Sequence, residues 1–346
     1  MGTSFFYPYL RDFLPSSIFQ SIWLNFLIPS NNETLDPILQ TKAFCMNLSS
    51  PIGISSGFDI NAVAFSKLLN LGSGFVELGP VLPSPEGYSL SPYSITENSL
   101  QITGPVSSFG VNSIKNYLKK DSNGPRGVNL LLSKQNMEII PHMTDDDYKY
   151  SFMKLYHLTD FFTINLSQSE FGHTNYYERP YKYENLIRKL TEHRNFEIGL
   201  FAAFQSGLLD FVDIEPRKLY TPIYIKINAS WNDIEGLVEK CVEYGIDGLI
   251  VGDENDDPEI SRKVLEKAVK SSNNRLEIIS FGGVNTGIEV LERIKTGAKA
   301  VQICNVLLCK GPWELKRIHQ ELTQKLREEN FKDVESAFNF YNRKLI

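Results

Sequence analysis

The sequence has little cysteine, little tryptophan and no long run of apolar residues. Only four of its 346 residues are cysteine, and none stands in a CxxC pair. This excludes a disulfide-stapled scaffold, argues against a zinc site and favours reduced, buried thiols. No stretch approaches the ~18 consecutive apolar residues that a membrane-spanning helix needs. The net charge is −6, from 35 basic and 41 acidic residues, and without a basic stripe the chain is a poor candidate for binding nucleic acid.

The first forty residues also contain little positive charge. Arg11 is the only basic residue before Lys42, so we recognise no Arg-rich transit peptide. The segment 5–29 is aromatic-rich, and Ser16 can cap an apolar helix that follows it. We predict that residues 1–40 are a helical segment that packs on the main domain or docks on a membrane surface or a partner protein. Its polar side lacks the lysines usual for membrane contact.

Eight short apolar runs, each bounded by Gly, Pro or polar residues, recur through the rest of the chain. Most are apolar throughout, which is typical of strands buried on both faces of a parallel sheet. Because helix-like segments separate the runs, we predict an α/β fold, a (β/α)₈ TIM barrel over residues 41–346. The predicted strands are residues 51–56, 74–79, 127–132, 161–167, 223–228, 248–252, 277–281 and 300–304. The predicted helices are residues 62–71, 145–156, 183–193, 233–244, 258–271, 286–295 and 312–329, and residues 196–222 form a long insertion.

Two features of the predicted strands and their loops point to ligand binding. Loops after the seventh and eighth strands of such barrels often bind phosphate. Gly282 and Gly283 follow the seventh strand and can bring backbone N–H groups close to an anion, although Gly-Gly is also a plain tight turn. Lys226 lies inside the apolar fifth strand, where a lysine is costly unless it meets a charged or polar partner. A ligand contact and a structural ion pair both remain open for Lys226.

Acidic residues and histidines are weaker candidates. The loop 253–257 after the sixth strand has four acidic side chains, but Pro258 stands where a calcium-binding loop needs glycine. We therefore expect a solvated loop and no metal site. The five histidines are scattered, and only His173, shortly after the fourth strand, is a candidate for acid–base catalysis.

Several segments taken together resemble the dihydroorotate dehydrogenases, specifically the membrane-associated class 2 enzymes that reduce quinone. Residues 50–59, SPIGISSGFD, resemble the family's NPVGIAAGFDK segment, and residues 74–79, GFVELG, resemble GFVEIG. Residues 126–130, 245–251 and 282–284 resemble its GVNL strand, its GIDGLIV segment and its GGV turn. The resemblance covers nearly the whole chain and implies the same barrel, with N-terminal helices that lie on the mitochondrial inner membrane.

The resemblance also implies a cofactor and a set of contact residues. In that family FMN lies across the top of the barrel and takes hydride from dihydroorotate while a serine removes a proton. FMN is thus the implied cofactor, the alternative being none, and no metal is implied. By their positions in the motifs, the cofactor-binding residues are Asn129, Lys226, Gly282, Gly283 and Asn305, and the vestigial substrate-binding residues are Asn165 and Asn112.

The catalytic position itself departs from the family's pattern. Gln168 stands where the serine of the family's NVSSPN motif belongs, and a neutral amide has no useful proton affinity. Ser167 and Ser169 flank it and are the fallback bases, although strand alternation aims them differently. Ile60 replaces the lysine of GFDK, which removes a cation from the site.

Acidic residues replace amides at further positions of the motifs. Glu170 stands at the last Asn of NVSSPN, and Asp253 and Glu254 replace an Asn-Thr pair. These charges oppose an anionic substrate by several kcal/mol. The sequence therefore predicts a protein with no intact catalytic set that has lost dihydroorotate oxidation. Its role would be that of a structural or accessory subunit, with protein partners, of a mitochondrial inner-membrane assembly. The alternative is a divergent FMN-dependent dihydroorotate dehydrogenase (quinone), or a related flavin oxidoreductase in pyrimidine biosynthesis.

Overall fold

Eight parallel strands close into a barrel in chain order, which confirms the predicted TIM barrel. The structure is a computed structural model that describes residues 34–86, 93–95, 100–102, 108–120, 124–133, 136, 144–167, 177, 180–206 and 220–343. The barrel strands are β3 (Ile52–Ile54), β4 (Val76–Val81), β7 (Arg126–Leu130), β8 (Phe161–Asn165), β9 (Ile223–Asn228), β10 (Gly248–Gly252), β11 (Glu277–Phe281) and β12 (Ala300–Ile303). The last strand pairs with the first, since Val301 lies opposite Ile52.

Among the described residues, two antiparallel strand pairs lie outside the barrel, the first of them a complete hairpin, and the apolar-run pattern did not reveal either. One joins β1 (Thr41–Ala43) to β2 (Met46–Leu48), and the other joins β5 (Tyr93–Ile95) to β6 (Leu100–Ile102). Each strand has only three residues, too few for a periodicity to be read.

The first hairpin closes the N-terminal end of the barrel. The Phe44 ring, in its turn, stacks on Phe161 with 3.9 Å between centroids and meets Phe75 at 4.8 Å and Tyr224 at 4.9 Å. The Phe44 amide donates a hydrogen bond to Glu277 Oε1 over 2.8 Å. We call this aromatic cluster the floor of the barrel.

Helices cover the outside of the barrel. They are α1 (Phe65–Asn70), α2 (Val111–Lys120), α3 (Thr144–Leu155), α4 (Pro180–Gln205), α5 (Ile234–Tyr244), α6 (Pro258–Ser272), α7 (Gly287–Thr296), α8 (Asn305–Lys310), α9 (Trp313–Glu328) and α10 (Val334–Tyr341). Short 3₁₀ helices occur at Pro37–Leu39 and Tyr156–Leu158. The ends of the α-helices follow from local sequence. For example, Asp233 caps α5 by accepting a hydrogen bond from the Gly236 amide, and Gly245 ends it in a left-handed conformation.

Two predictions about the outer surface were wrong. Helix α4 continues to Gln205, so residues 196–205 are helical and not part of an insertion; residues 207–219 lie outside the described residues. The helix continues because 194–205 contain no proline and only one glycine. Cys45 is exposed in the hairpin turn rather than buried, whereas Cys241 and Cys309 are buried, and none of the four cysteines, all of which the structure describes, is in a disulfide.

The predicted N-terminal docking segment lies almost entirely outside the described residues, which begin at 34. Its role in docking therefore stays a prediction. Within the part of the chain that the structure describes, no helix is both long and apolar enough to span a bilayer.

Candidate active site

Polar side chains gather at the C-terminal ends of the barrel strands, opposite the floor. The side chains of Tyr224, Lys226 and Asn228 follow one another on the same face of β9, because alternate residues of a strand share a face. Tyr224 lies in the floor, and the two later residues are polar and buried. Asn165 of β8 is directly opposite Lys226 in the strand register. We call this polar end the mouth of the barrel.

Lys226 is held by polar groups from three other strands or their ends. Its Nζ lies 3.4 Å from Glu77 Oε2 and donates to Ser55 Oγ over 3.2 Å, to Ser56 Oγ over 3.3 Å and to Gln302 Oε1 over 3.5 Å. Lys226 is only 5% exposed and Glu77 is completely buried. Of the two readings left open by the sequence, the structure therefore shows an internal ion pair.

Glu77 is ionised in this pair despite its burial. Burial by itself raises the pKa of the Glu77 carboxyl, but the Lys226 ammonium and hydrogen bonds from the Ser56 amide and the Asn129 side chain lower it below the ordinary value. Asn129 Nδ2 donates to Glu77 Oε1 over 3.3 Å. The Lys226–Glu77 pair is thus neutral as a unit and anchors the network of side chains around it.

A chain of hydrogen bonds leads from Glu77 to a second carboxylate. Asn165 Nδ2 donates to Asn129 Oδ1 over 3.1 Å, and the Ser167 hydroxyl lies 2.6 Å from Asn165 Oδ1. The same hydroxyl lies 2.7 Å from Glu254 Oε1. A serine hydroxyl has one proton to donate, and an ionised carboxylate is a stronger acceptor than an amide oxygen. Ser167 Oγ–H is therefore directed to Glu254.

The Gly282–Gly283 turn after β11 forms as predicted, but a side chain of the same molecule already satisfies its amide. Both glycines have positive φ, +78° and +67°. A Cβ on Gly283 would lie 2.4 Å from the Pro258 Cα, so only glycine fits. The Gly283 N–H donates to Asp256 Oδ1 over 2.6 Å, and the Asn305 side chain hydrogen-bonds to the same carboxylate.

The expectation of a solvated acidic loop was wrong. Asp253 is only 5% exposed and accepts a hydrogen bond from the Asp257 amide over 3.1 Å. Glu254 and Asp256 are partly buried against Ser167 and Gly283 respectively. The loop turns inward because its carboxylates satisfy backbone and hydroxyl donors that strand ends leave unpaired.

The structure brings most, but not all, of the predicted site residues together. Asn129, Asn165 and Lys226 share the network at the mouth, and Asn305 joins Gly283 on Asp256. The side chain of Asn112, by contrast, is exposed on α2. The predicted base positions 168 and 169, together with Glu170 and His173, lie outside the described residues. The sequence analysis considered Glu254 only as a charge that opposes an anionic substrate. Its contact with Ser167 could not be predicted, because the two residues are 87 positions apart in the sequence.

The described residues fit FMN at one end of the site only. At the ring end, Gln302 Nε2 is buried without a hydrogen-bond partner among the described residues, whereas the Lys226 ammonium is already bonded to Glu77 and to two serines. At the phosphate end, the Gly283 amide is bonded to a carboxylate. Two anions cannot share one donor without strong repulsion. With Asp256 in this place, the phosphate end does not fit.

Comparison with known proteins supports both the fold and the resemblance. Structures of DHODH from Eimeria tenella have the same fold: the complex with ferulenol superposes with a TM-score of 0.82, at 20% identity and over 96% of this chain and 98% of that one. The ligand-free form superposes with a TM-score of 0.75.

Curated relatives of similar length carry the name dihydroorotate dehydrogenase (quinone). The protein of Azorhizobium caulinodans is 24% identical over 96% of this chain and 98% of its own length. That of Sulfurimonas denitrificans is 27% identical over 87% of this chain. The mouse relative, named as mitochondrial, is 24% identical over 92% of this chain. The dihydroorotate dehydrogenase family model matches residues 38–256 and 258–326. Since that is most of its length, this chain belongs to the dihydroorotate dehydrogenase family.

Proposed function

We propose that this chain is a divergent flavin oxidoreductase of the dihydroorotate dehydrogenase (quinone) type. In this proposal Ser167 accepts the substrate proton with the help of Glu254. The observation that carries the proposal is the 2.7 Å contact between Ser167 Oγ and Glu254 Oε1 at the mouth of the barrel. The family membership and the quinone-type relatives support the reaction class.

The Ser167–Glu254 pair supplies the proton acceptor that Gln168 cannot. A serine hydroxyl is a weak base unless a neighbouring group takes its proton. The Glu254 carboxylate is within hydrogen-bond reach and can accept that proton as the hydroxyl oxygen takes one from a carbon acid. Asn165 positions the serine through its backbone, because Asn165 Oδ1 accepts a hydrogen bond from the Ser167 amide over 3.0 Å. FMN, when bound, would supply the hydride acceptor.

The first test is the visible absorbance spectrum of the purified protein before and after anaerobic addition of dihydroorotate. We expect a flavin spectrum that bleaches as the flavin is reduced. A flavin spectrum that stays oxidised would exclude dihydroorotate as the reductant. A protein without flavin would contradict the proposal as a whole.

Variants of the pair test its chemical role. Ser167→Ala should slow flavin reduction by about 10²–10⁴-fold. Glu254→Gln, which keeps a hydrogen-bond acceptor but loses the proton affinity, should also slow reduction and shift the pH profile. Glu259→Gln is the matched control, because the Glu259 side chain is 57% exposed and paired with Arg262 outside the mouth. Equal rates in Glu254→Gln and Glu259→Gln would contradict a role for Glu254.

A second candidate function is favoured by a separate observation. The Gly283 amide donates to the Asp256 carboxylate. A barrel that has stopped binding a nucleotide would be expected to fill its phosphate position in this way. Under this reading the chain has lost dihydroorotate oxidation and is a structural subunit of a mitochondrial inner-membrane assembly. We propose the same location for the active form, since one relative is named as mitochondrial, with residues 1–40 as the docking element. Vesicle flotation with and without residues 1–33 tests this docking, and unchanged flotation would contradict it.

A further inference from the structure

The loop after β10 and the turn after β11 are connected by one carboxylate. Asp256 accepts hydrogen bonds from the Gly283 amide over 2.6 Å and from the Asn305 side chain. These two donors follow the seventh and eighth strands of the barrel. In barrels of this architecture, groups after those strands commonly bind phosphate. The Asp256 carboxylate therefore already occupies the position at which such donors bind a phosphate.

The backbone geometry shows that this contact is built into the loop. Asp256 itself has a φ of +64°, a left-handed conformation that L-residues rarely adopt and that aspartate tolerates better than most. The Asp256 amide donates to the Asp253 carbonyl over 3.2 Å, which closes a tight turn. Asp257 caps the next helix by accepting from the amides of Glu259 and Ile260. The turn and the cap together direct the Asp256 side chain to Gly283.

The Asp256 carboxylate uses the two donors that it contacts, and a third group beside the turn is the guanidinium of Arg293. Burial raises the pKa of Asp256, and the hydrogen bonds from Gly283 and Asn305 oppose that shift while nearby Asp253 and Glu289 add to it. Arg293 is a cation beside the turn: its Nη2 donates to the Gly282 and Pro258 carbonyls, and its Nη1 is buried without a hydrogen-bond partner among the described residues. A phosphate monoester brought to this turn would meet the carboxylate before it met an unpaired amide.

We propose that Asp256 is a built-in anion that occupies the phosphate position of the Gly282–Gly283 turn, so that FMN binds this chain only by displacing it. The inference rests on the proposed function for the identity of its ligand. The occupied turn itself does not depend on which reaction the chain performs. Displacement would move residues 253–257, and Glu254 in the same loop is bonded to Ser167. Binding of a phosphate would thereby be coupled to the Ser167–Glu254 pair.

The test compares Asp256→Gly with wild type. Glycine keeps the positive φ at residue 256 without strain and removes the carboxylate. The matched control is Asn255→Gly, which adds a glycine to the same loop at an exposed position and keeps Asp256. FMN affinity is measured by flavin fluorescence quenching, with riboflavin, which has no phosphate, as the second probe. We expect Asp256→Gly to bind FMN at least about tenfold more tightly than wild type and Asn255→Gly, with riboflavin affinity unchanged. Equal FMN affinities in wild type and Asp256→Gly would overturn the proposal.

Inorganic phosphate separates this proposal from the proposed function. If no variant binds either flavin, the flavin assignment fails, but the occupied turn can still be tested by thermal unfolding in potassium phosphate against potassium chloride of equal ionic strength. A Tm rise with phosphate in Asp256→Gly and not in wild type would support the proposal. No rise in Asp256→Gly would overturn it. If Asp256→Gly does not fold, Asp256→Asn replaces it in both measurements, because asparagine also tolerates positive φ and removes the charge; unchanged FMN and phosphate responses in that variant would overturn the proposal.

Discussion

The floor and the mouth of the barrel are built from the same strands but held by different forces. Strand β8 begins with Phe161 in the aromatic floor and ends with Asn165 in the polar network, and β9 places Tyr224 and Lys226 in the same two regions. The floor is closed by three rings whose centroids lie 3.9–4.9 Å from that of Phe44, one stacked on it and two edge-to-face. The mouth is held by hydrogen bonds and by one buried ion pair.

The difference shows what each region leaves open to a ligand. The four rings of the floor pack against one another, and their one hydroxyl, on Tyr224, already donates to Glu277 Oε1 over 2.8 Å, so these rings offer a ligand no unpaired polar atom. The mouth, by contrast, keeps Gln302 Nε2 without a partner among the described residues, and its carboxylates bind donors that a ligand could take over. Stability is therefore expected to depend on both ends and ligand binding only on the mouth.

The largest effect is expected from breaking the buried ion pair. Lys226→Met leaves the Glu77 carboxylate completely buried without its cation, and we expect a loss of about 4 kcal/mol in the free energy of unfolding. Urea denaturation measures it. The double variant Lys226→Met with Glu77→Leu should recover about half of this loss, because it removes the unpaired charge but leaves the Ser56 amide and the Asn129 side chain without their acceptor. A double variant as unstable as the single one would contradict the role given to the charge.

A slightly smaller effect is expected at the floor. Phe161→Ala removes a completely buried ring that stacks on Phe44 and should lower the free energy of unfolding by about 3 kcal/mol. Phe196→Ala is the control, since that ring is 59% exposed and its removal should cost well under 1 kcal/mol. If the two regions act separately, Phe161→Ala should leave flavin affinity, where flavin binds, within about twofold of wild type. A larger change in affinity would show that the floor also shapes the ligand site.

The pH dependence of stability isolates a polar group on the floor side. His319 on α9 is 4% exposed and hydrogen-bonds to Ser50 Oγ over 2.8 Å, and burial lowers its pKa from 6.5 to about 4. In the unfolded chain this imidazole binds a proton at a higher pH than in the folded protein. The stability that the neutral His319 contributes to the folded protein is therefore fully present above pH 6.5 and is lost as the pH falls towards 4. The resulting loss in the free energy of unfolding is about 3 kcal/mol.

His319→Gln is the matched variant for this prediction. Glutamine keeps a polar side chain of similar length but does not titrate. The slope of the free energy of unfolding against pH gives the number of protons taken up on unfolding, and between pH 6.5 and 4 this number should fall by nearly one. Chemical denaturation at intervals across that window measures the slope. An unchanged slope would assign the pH dependence to other groups.

The barrel could be predicted from the sequence, because apolar runs bounded by Gly or Pro define buried strands. The predicted bounds of β9, β10 and β11 agree with the structure residue by residue. The aromatic floor could not be predicted, since Phe44 stands in a hairpin whose three-residue strands have no readable period. Its role depends on rings that lie 31, 117 and 180 residues further along the chain, at Phe75, Phe161 and Tyr224.

Only part of the candidate site could be predicted from the sequence. Lys226 and Gly283 were found because a lysine in an apolar strand and a Gly-Gly pair after one are unusual locally. Glu254 and Asp256 were not understood, because their partners Ser167 and Gly283 belong to other loops. An acidic loop has the same composition whether its carboxylates face water or accept hydrogen bonds from the barrel, and only the fold decides between the two.

The smallest expected effect tests whether a residue near the mouth can be purely structural. Thr286 caps α7 directly after the glycine turn: its side chain accepts from the Glu289 amide, and the Glu289 carboxylate accepts from the Thr286 amide. Thr286→Ala removes one half of this capping box and should lower the free energy of unfolding by about 1 kcal/mol. Because the hydrogen bond between Gly283 and Asp256 does not involve Thr286, FMN and phosphate responses should match wild type. A change in either response would mean that the helix start and the anion turn move as one unit, and would extend the mouth to include the first turn of α7.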